Sequence, residues 1–525
     1  MKKLLLLLIT TITFISCSET EEAKKIQWTS SSEIAVKLFN EFNENIEKSR
    51  WEPDTQEKLM DSLKILDPNF VFAKLRDNFG TNNETRDKFL NAYSERNNVS
   101  DIEKRIIEAE YERRINGNQI KRDAIFDKLI EDYPDYYELR IWSGDIKNEA
   151  LQDPKAAQKR WEEALEINPK SFEAYVNLAF LHFPTGNNFT MLANDERDLD
   201  VAKDFLSRGS KIYPKSSRWS RFLGNVYRAE GNFEKAEIEY QKSLDIIADY
   251  EAGSDSNVYA NSLLMMGHVN TFQGQYDSAR DFYDQGIAIS NDWWKVNMTE
   301  MKAHTYMYQK NFADAIFLLS EMQNQIDDMD EEEQTKNNWR YFTEFTKFLA
   351  FGHSQKQEET LASLDKMEQL SATNTNIRLE NSINEDQRER ILTGTKKNNI
   401  SNQIWYNILF GNYEDARTLL VDFKTISESQ LGYNLNAMVE FYKLSGYLNL
   451  MEGDPQESIN SYNNLSKEIM SDDSYHVYFL ALAKKGVGEI EESNQIFSEL
   501  ANDNFATWQN AIVKNLAKAQ IEVNL

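Results

Sequence analysis

The sequence predicts an all-α chain of stacked helix-turn-helix units, and three observations predict it. Glycine and proline number only 19 and 8 in 525 residues, far below their ordinary shares of about 7% and 5%. Sheets and long loops need both residues as punctuation, so this chain has little material for either. A phrase of small and aromatic residues also returns at fixed spacing along most of the chain. Finally, after residue 15 no apolar run reaches the ~20 residues of a membrane span, so the apolar residues are distributed as helix faces instead.

At the start of the chain, Lys2 and Lys3 precede Leu4 to Ile15, a stretch that is apolar apart from threonines. That is the pattern of a secretory signal, too short to span a membrane. Its end, Phe14-Ile15-Ser16-Cys17, resembles the lipobox of bacterial lipoproteins. The resemblance implies that residues 1–16 are a signal peptide and that Cys17, the sole cysteine, is lipidated. A free thiol on an exported chain would otherwise face an oxidising compartment. Ser18-Glu19-Thr20-Glu21-Glu22 resembles the acidic export tag of some surface lipoproteins, which places the expected location at the outer membrane, on either its periplasmic or its surface-exposed face. Residues 17–32 read as a flexible acidic tether.

The repeat grammar begins after the tether. Ala157-x3-Trp161-x2-Ala164-x4-Pro169 matches Ala202-x3-Leu206-x2-Gly209-x4-Pro214, and Pro68 and Pro134 close similar phrases. Each proline is placed to stop a helix and turn the chain. Leu223-Gly224-x2-Tyr227-x3-Gly231-x4-Ala236-x3-Tyr240 returns as Met266-Gly267-x2-Asn270-x3-Gly274-x4-Ala279-x3-Tyr283, and more weakly as Ala303-x2-Tyr306-x8-Ala315-x3-Leu319. The small residues let two helices approach closely, the tyrosines fill the space between units, and Gly231 and Gly274 allow the positive φ of a helix end. Related phrases continue from Gly411, Gly446 and Ala481.

These spacings resemble the tetratricopeptide repeat over most of residues 33–525. The resemblance implies a right-handed superhelix and a role as an interaction scaffold, with a protein or peptide partner held in the concave groove. The expected organisation is an N-terminal array over 33–369, a hinge or degenerate repeat over 370–402, and a C-terminal array over 403–525. Asn187 to Asp200 and Tyr250 to Asn257 read as insertions that form loops. Within 370–402, Glu385 to Leu392 reads as helical if the segment is a repeat.

Charge and motif content exclude several functions. A net charge of −27 repels nucleic acid and anionic headgroups, so the membrane is engaged through the lipid alone. No phosphate loop, His-Glu-x-x-His or Gly-x-Ser-x-Gly occurs, and the histidines lack ligand spacing, so neither catalysis nor a cofactor or metal is expected. The run Asp327 to Glu333 lacks the alternating ligands and central glycine of a calcium loop and reads as a solvated helix start.

Candidate binding residues follow from helix geometry. Arg218, Arg221, Asn225 and Arg228 are spaced 3, 4 and 3 apart, which puts them on one helical face. The stripe continues with His268 and His304 in the next units and with Phe180 and Phe183 in the preceding one. Arg221 and Asn225 resemble half of the carboxylate clamp of chaperone-binding repeats, while Met265 stands where its second asparagine would lie. The stripe implies a partner with an acidic or carboxylate-bearing segment, although pairing of the arginines with acidic neighbours is the competing reading. A second class, the glycan-binding lipoproteins of the starch-utilisation kind, shares the helices and the lipidated cysteine. It differs in its long Gly- and Pro-rich loops, and Trp293-Trp294 is the aromatic pair such a function would use.

Overall fold

The computed structural model describes residues 23–47, 53–185, 189–250 and 256–522. Cys17 and the signal peptide therefore lie outside the described residues. Among those described there are 26 α-helices and no strand. The first four are α1 (Glu33–Glu47), α2 (Pro53–Leu66), α3 (Val71–Arg76) and α4 (Asn82–Ser94). Paired helices follow: α5 (Asp101–Arg114) with α6 (Gln119–Asp132), α7 (Tyr137–Asp145) with α8 (Pro154–Ile167), and α9 (Phe172–Phe180) with α10 (Leu199–Ile212). The central pairs are α11 (Ser217–Ala229) with α12 (Phe233–Tyr250), α13 (Ser256–Phe272) with α14 (Tyr276–Ile289), and α15 (Asp292–Tyr308) with α16 (Phe312–Asp327). Next come α17 (Glu333–His353) with α18 (Gln357–Glu380), α19 (Glu385–Leu409) with α20 (Tyr413–Ser429), and α21 (Val439–Met451) with α22 (Pro455–Tyr462). After the short α23 (Lys467–Ser471), α24 (Ser474–Gly486) pairs with α25 (Ile490–Asn502), and α26 (Trp508–Glu522) ends the chain.

The punctuation works as its chemistry dictates. Pro68, Pro134, Pro169 and Pro214 each fall two residues past a helix end, where a ring without an N–H cannot extend the helix. Within units, one turn repeats: Asn232 N–H donates to Tyr227 O at 2.8 Å, Gln275 to Asn270 O at 2.8 Å and Asn311 to Tyr306 O at 2.9 Å. This closure needs a left-handed residue inside it. Gly231 (φ 75°) and Gly274 (φ 77°) supply it, and in the third, weaker unit Lys310 takes φ 58° instead.

The units wind into a superhelix of more than one turn, and the second turn lies against the edge of the first. Asn82 Nδ2 donates to Glu332 Oε2 at 2.6 Å, Arg86 Nη1 to Asn381 O at 2.9 Å, and Asn436 Nδ2 to Ala150 O at 3.2 Å. Further on, Lys467 pairs with Asp195 at 2.7 Å, and Asn504 Nδ2 donates to Arg228 O at 3.2 Å. These partners are 250, 295, 286, 272 and 276 residues apart. A nearly constant offset is the length of one superhelical turn. The second turn closes on an aromatic centre, where Trp405 stands 5.0 Å from Tyr475 and 6.2 Å from Trp508, and Trp508 stands 5.8 Å from Phe345 (ring centroids). From there α26 reaches back to α15.

One expected segment differs from its sequence reading. Of the tether over 17–32, residues 17–22 lie outside the described residues, and from Ile26 the chain is packed. Ile26 is 2% exposed, Trp28 stacks on Phe72 with centroids 4.3 Å apart, and the Thr29 N–H donates to Glu103 Oε1 at 3.0 Å. The two apolar residues outweigh the polar composition around them. The segment 370–402, read as a hinge or degenerate repeat, is helical apart from one short break. It lies within α18 and α19, which are 24 and 25 residues long and are parted by a break of four residues. Of the insertion before α10, the described residues 189–198 form the expected loop apart from one 3₁₀ turn, and Asn148 anchors it by donating to Thr190 O at 2.7 Å and accepting from Thr190 N–H at 3.0 Å; residues 251–255 of the other expected loop lie outside the described residues.

Candidate functional site

The stripe expected to line an open groove is largely buried. Arg221, Asn225, Arg228, His268 and His304 are all 9% exposed or less, and Phe183 is fully buried. Phe180 is half-buried and meets Phe183, Phe189 and Phe222 edge-on at 4.7 to 5.6 Å. Both phenylalanines are packing between units, so neither presents an apolar anchor. Of the polar residues only Arg218 is half-buried, with its guanidinium 5.1 Å from the Phe172 centroid and 5.2 Å from Phe222. Arg221 stands 5.4 Å over Phe222.

Two of the stripe residues have internal duties that their repeat positions explain. Tyr240 packs on Gly224 and Tyr283 on Gly267, the same contact in successive units. Each buried hydroxyl must find a partner, and the residue after each glycine provides it. Tyr240 OH donates to Asn225 Oδ1 at 2.7 Å, and Tyr283 OH lies 2.8 Å from His268 Nδ1. Burial pushes the Tyr240 hydroxyl up to about 12 and, with Arg228 and His304 adding to it, holds His268 well below the usual histidine range.

His304 occupies the same position after Ala303, but the residue that faces it from α16 is Leu319, which has no hydroxyl. Neither ring nitrogen of His304 has a hydrogen-bond partner among the described residues. Glu300 Oε2 stands 3.9 Å from Nε2, out of hydrogen-bond reach. Burial moves the two groups apart in pKa, Glu300 up to about 8 and His304 down to about 4, so both are neutral near pH 7.

What covers the stripe is the chain itself. The α25–α26 connection, anchored by the Asn504 to Arg228 bond, and α26, whose neighbour Tyr308 O accepts from Asn515 Nδ2 at 2.7 Å, lie over the ends of α11 and α15. A peptide cannot run along a face that the second turn occupies.

A different part of the inner face is open. A cleft of 470 Å³ lies on α17, α19, α20 and α21, within the ~300–1,000 Å³ typical of ligand pockets. Its aromatic lining comes from Tyr341, Phe345, Trp405 and Phe423. The Asn398 and Asn402 side-chain amides both donate to Tyr341 OH, at 2.7 and 2.8 Å. Lys397 Nζ donates to Gln430 Oε1 at 3.0 Å and Ala437 O at 2.8 Å. Burial lowers its pKa and the Glu440 charge opposes that shift.

Gly394 also lines this cleft. A glycine inside a helix costs roughly 0.5–1 kcal/mol relative to alanine. Elsewhere in the helices the cost has a packing reason: a Cβ on Gly224, Gly267 or Gly446 would come within 2.5 Å of a tyrosine. On Gly394 a Cβ would meet nothing within 4 Å. The missing side chain leaves room at the edge of the cleft. Sequence reasoning passed over this site because it lies on the segment read as a hinge or degenerate repeat. The signal was present, since Gly394, Asn398, Ser401, Asn402 and Trp405 recur at helical spacing on one face.

Trp293 and Trp294 are divided by the fold. Trp294 packs with Ala260, Leu264 and Tyr283, while Trp293 is 44% exposed beside Trp339, with ring centroids 6.2 Å apart. Among the described residues no group of three or more His, Cys, Asp or Glu is placed to hold a metal, and no helix is long and apolar enough to cross a membrane.

Comparison with known proteins matches residues 217–292 to the tetratricopeptide repeat family. No curated protein sequence matches the chain. Among solved structures, a tetratricopeptide repeat protein from Parabacteroides merdae aligns at 14% identity over 56% of this chain and 98% of its own, with a TM-score of 0.33. The P58(IPK) TPR domain aligns at 15% identity over 74% and 99%, with a TM-score of 0.22, and BtubC (BKLC) from P. vanneervenii at 16% over 45% and 91%, with a TM-score of 0.30.

Proposed function

We propose, from the premise that this is a tetratricopeptide repeat protein, that it is a non-catalytic scaffold holding a protein partner at the Gly394 cleft. The observation that carries this reading is the cleft's position. It is a 470 Å³ opening with an aromatic floor on an inner face that the chain otherwise fills with its own helices. An apolar side chain of the partner would bury against Phe345 and Trp405, and the asparagines and Lys397 would orient the polar backbone around it. The lipobox-like Phe14-Ile15-Ser16-Cys17 supports tethering to the bacterial envelope through lipid on Cys17, and the acidic residues behind it support the outer membrane. The acidic or carboxylate-bearing partner segment inferred from the arginine stripe does not transfer to the stripe itself, which is covered.

The test is in vivo photo-crosslinking from position 398 in the lipidated protein, repeated with Gly394→Leu. Leucine favours the helix and fills the cleft, so the variant keeps its melting temperature and loses its crosslinked partner. An undiminished adduct in Gly394→Leu overturns the cleft as the docking site. A glycan array that binds the wild type and not Gly394→Leu would replace the protein partner by a sugar.

A further inference from the structure

Arg228, near the end of α11, is 2% exposed. Among the described residues it makes no ion pair within 4.0 Å. Its Nη1 reaches only Met265 Sδ, at 3.4 Å, and its Nε has no partner at all. A buried guanidinium is normally held by a carboxylate or by several oxygen acceptors, because the desolvated charge is otherwise costly. Here that charge borders an open space. A cavity of 260 Å³ lies between the two superhelical turns, lined by Arg228, Arg197, His182, Asn225 and Asp503. One water needs only ~10–15 Å³.

We propose that this cavity binds a small monocarboxylate with a short apolar chain, its carboxylate on Arg228. The site is distinct from the Gly394 cleft and does not depend on it. The charge balance sets the ligand's valence. Arg197 pairs with Asp472 at 3.4 Å. Lys514 donates to Asp503 O and to Asn504 Oδ1, and it is the leading charge holding down the Asp503 carboxyl against the push of burial. Of the two arginines that line the cavity, Arg228 is the one without a carboxylate within 4.0 Å. A monoanion neutralises it, whereas a dianion would place a second negative charge beside Asp503. His182 accepts from the Asp198 N–H through Nδ1 at 3.0 Å, so its neutral ring carries the proton on Nε2 as a donor at the wall. Pro184, Leu199 and Ala229 complete the lining, and they suit a short hydrocarbon tail.

The experiment is thermal unfolding of the folded chain with butyrate as the probe, beside butyramide and inorganic phosphate at matched ionic strength. Butyrate raises the melting temperature of the wild type, butyramide leaves it unchanged, and phosphate gives the smaller shift. Arg228→Met, nearly isosteric and free of the unpaired charge, melts no lower than the wild type without ligand and shows no response to butyrate. Ala229→Leu, which narrows the cavity and leaves Arg228 in place, weakens the response at least tenfold in concentration. A wild type indifferent to butyrate, a butyramide response equal to that of butyrate, a phosphate response as large, or a butyrate response surviving in both variants would each overturn the proposal.

Discussion

Tyr240 packs directly on the backbone of Gly224, so closely that a Cβ on that glycine would stand 2.4 Å from the tyrosine Cε1. The contact joins the two helices of one unit and recurs 43 residues later, between Gly267 and Tyr283, where the corresponding distance is 2.2 Å. It explains why glycine stands mid-helix at a position where alanine has the better helix propensity.

Gly224→Ala therefore sets two effects against each other. Helix propensity gains roughly 0.5–1 kcal/mol, while overpacking against a fully buried ring costs about 1–3 kcal/mol. The clash wins, and the variant unfolds at a lower denaturant midpoint. Gly394→Ala, with nothing near its Cβ, moves the midpoint the other way. Paired equilibrium unfolding of the two variants measures both signs.

The orphaned His304 offers a second comparison. Leu319 occupies the place of Tyr240 and Tyr283, so Leu319→Tyr would offer His304 the hydroxyl it lacks, but the ring would collide with Ala303. Adding Ala303→Gly recreates the arrangement of the two preceding units. We expect Leu319→Tyr alone to destabilise by about 1–3 kcal/mol and the double variant to recover at least half of that. A double-mutant cycle in urea reads the coupling, and additive losses would show that the three units do not share one packing rule.

How far the sequence could be read depends on the range of each contact. Gly224, Tyr240, Gly267 and Tyr283 act within one unit, and their spacing makes the helix pair visible at once. The prolines past α2, α6, α8 and α10 are equally local. The fate of Asn225 and His268 was legible in principle, because each sits one residue after a glycine that faces a tyrosine, yet helical spacing alone reads the same residues as a groove. Contact between turns was not legible. Asn504 meets Arg228 across 276 residues, and no local pattern reports where a superhelix closes on itself. The Gly394 cleft was missed for a different reason: α18 and α19 are longer than the repeat, so the phrase that marks other units falls out of register there.

Titration of the buried Glu300 and His304 gives opposite slopes that offset each other on the acid side and leave a net fall through neutrality. Burial raises Glu300 to about 8 in the folded chain, so the native state keeps a proton that the unfolded chain releases near its ordinary value. Stability is therefore present at low pH and is lost as pH rises towards and through 8, by at most about 1.4 kcal/mol per unit. His304 is lowered to about 4. The unfolded chain takes up a proton below about 6.5 that the native ring refuses, so the His304 contribution falls as pH drops from there towards 4, a slope that Glu300 offsets. Melting temperature measured from pH 5 to 9 is nearly flat below about 6.5, falls between about 6.5 and 8 and levels above, and Glu300→Gln removes that fall while exposing the rising slope of His304 on the acid side. A fall unchanged in Glu300→Gln would assign the loss to other groups.

Cys17→Ser tests the anchor without disturbing the body. The described residues contain no helix that could cross a membrane, so the variant is expected to fold with the wild-type circular dichroism spectrum and to leave the membrane pellet after a salt wash. Retention in the pellet would mean that some surface of the body itself binds the envelope.

The closing of the second turn changes what a repeat array should do when it is damaged. In an open array each unit leans only on its neighbours, and a lesion at one end leaves the other end protected. Here Trp508 stands 5.8 Å from Phe345, 6.2 Å from Trp405 and 5.6 Å from Tyr475, at the start of the helix that carries Asn515 back to Tyr308. Trp508→Ala should cost about 2–3 kcal/mol, less than the ~3–5 kcal/mol of a fully buried ring because this one is half-buried. The loss should spread to α11 and α15, whose inner faces α26 and residues 503–504 cover, although they lie about 200 residues or more away in sequence. Native-state hydrogen exchange compares amide protection in α11 and α15 with that in α5 and α6. Lost protection in α11 and α15 with α5 and α6 intact shows that the turns are coupled through the closure, while losses confined to α24 to α26 would mean that the second turn rests on the first without stabilising it.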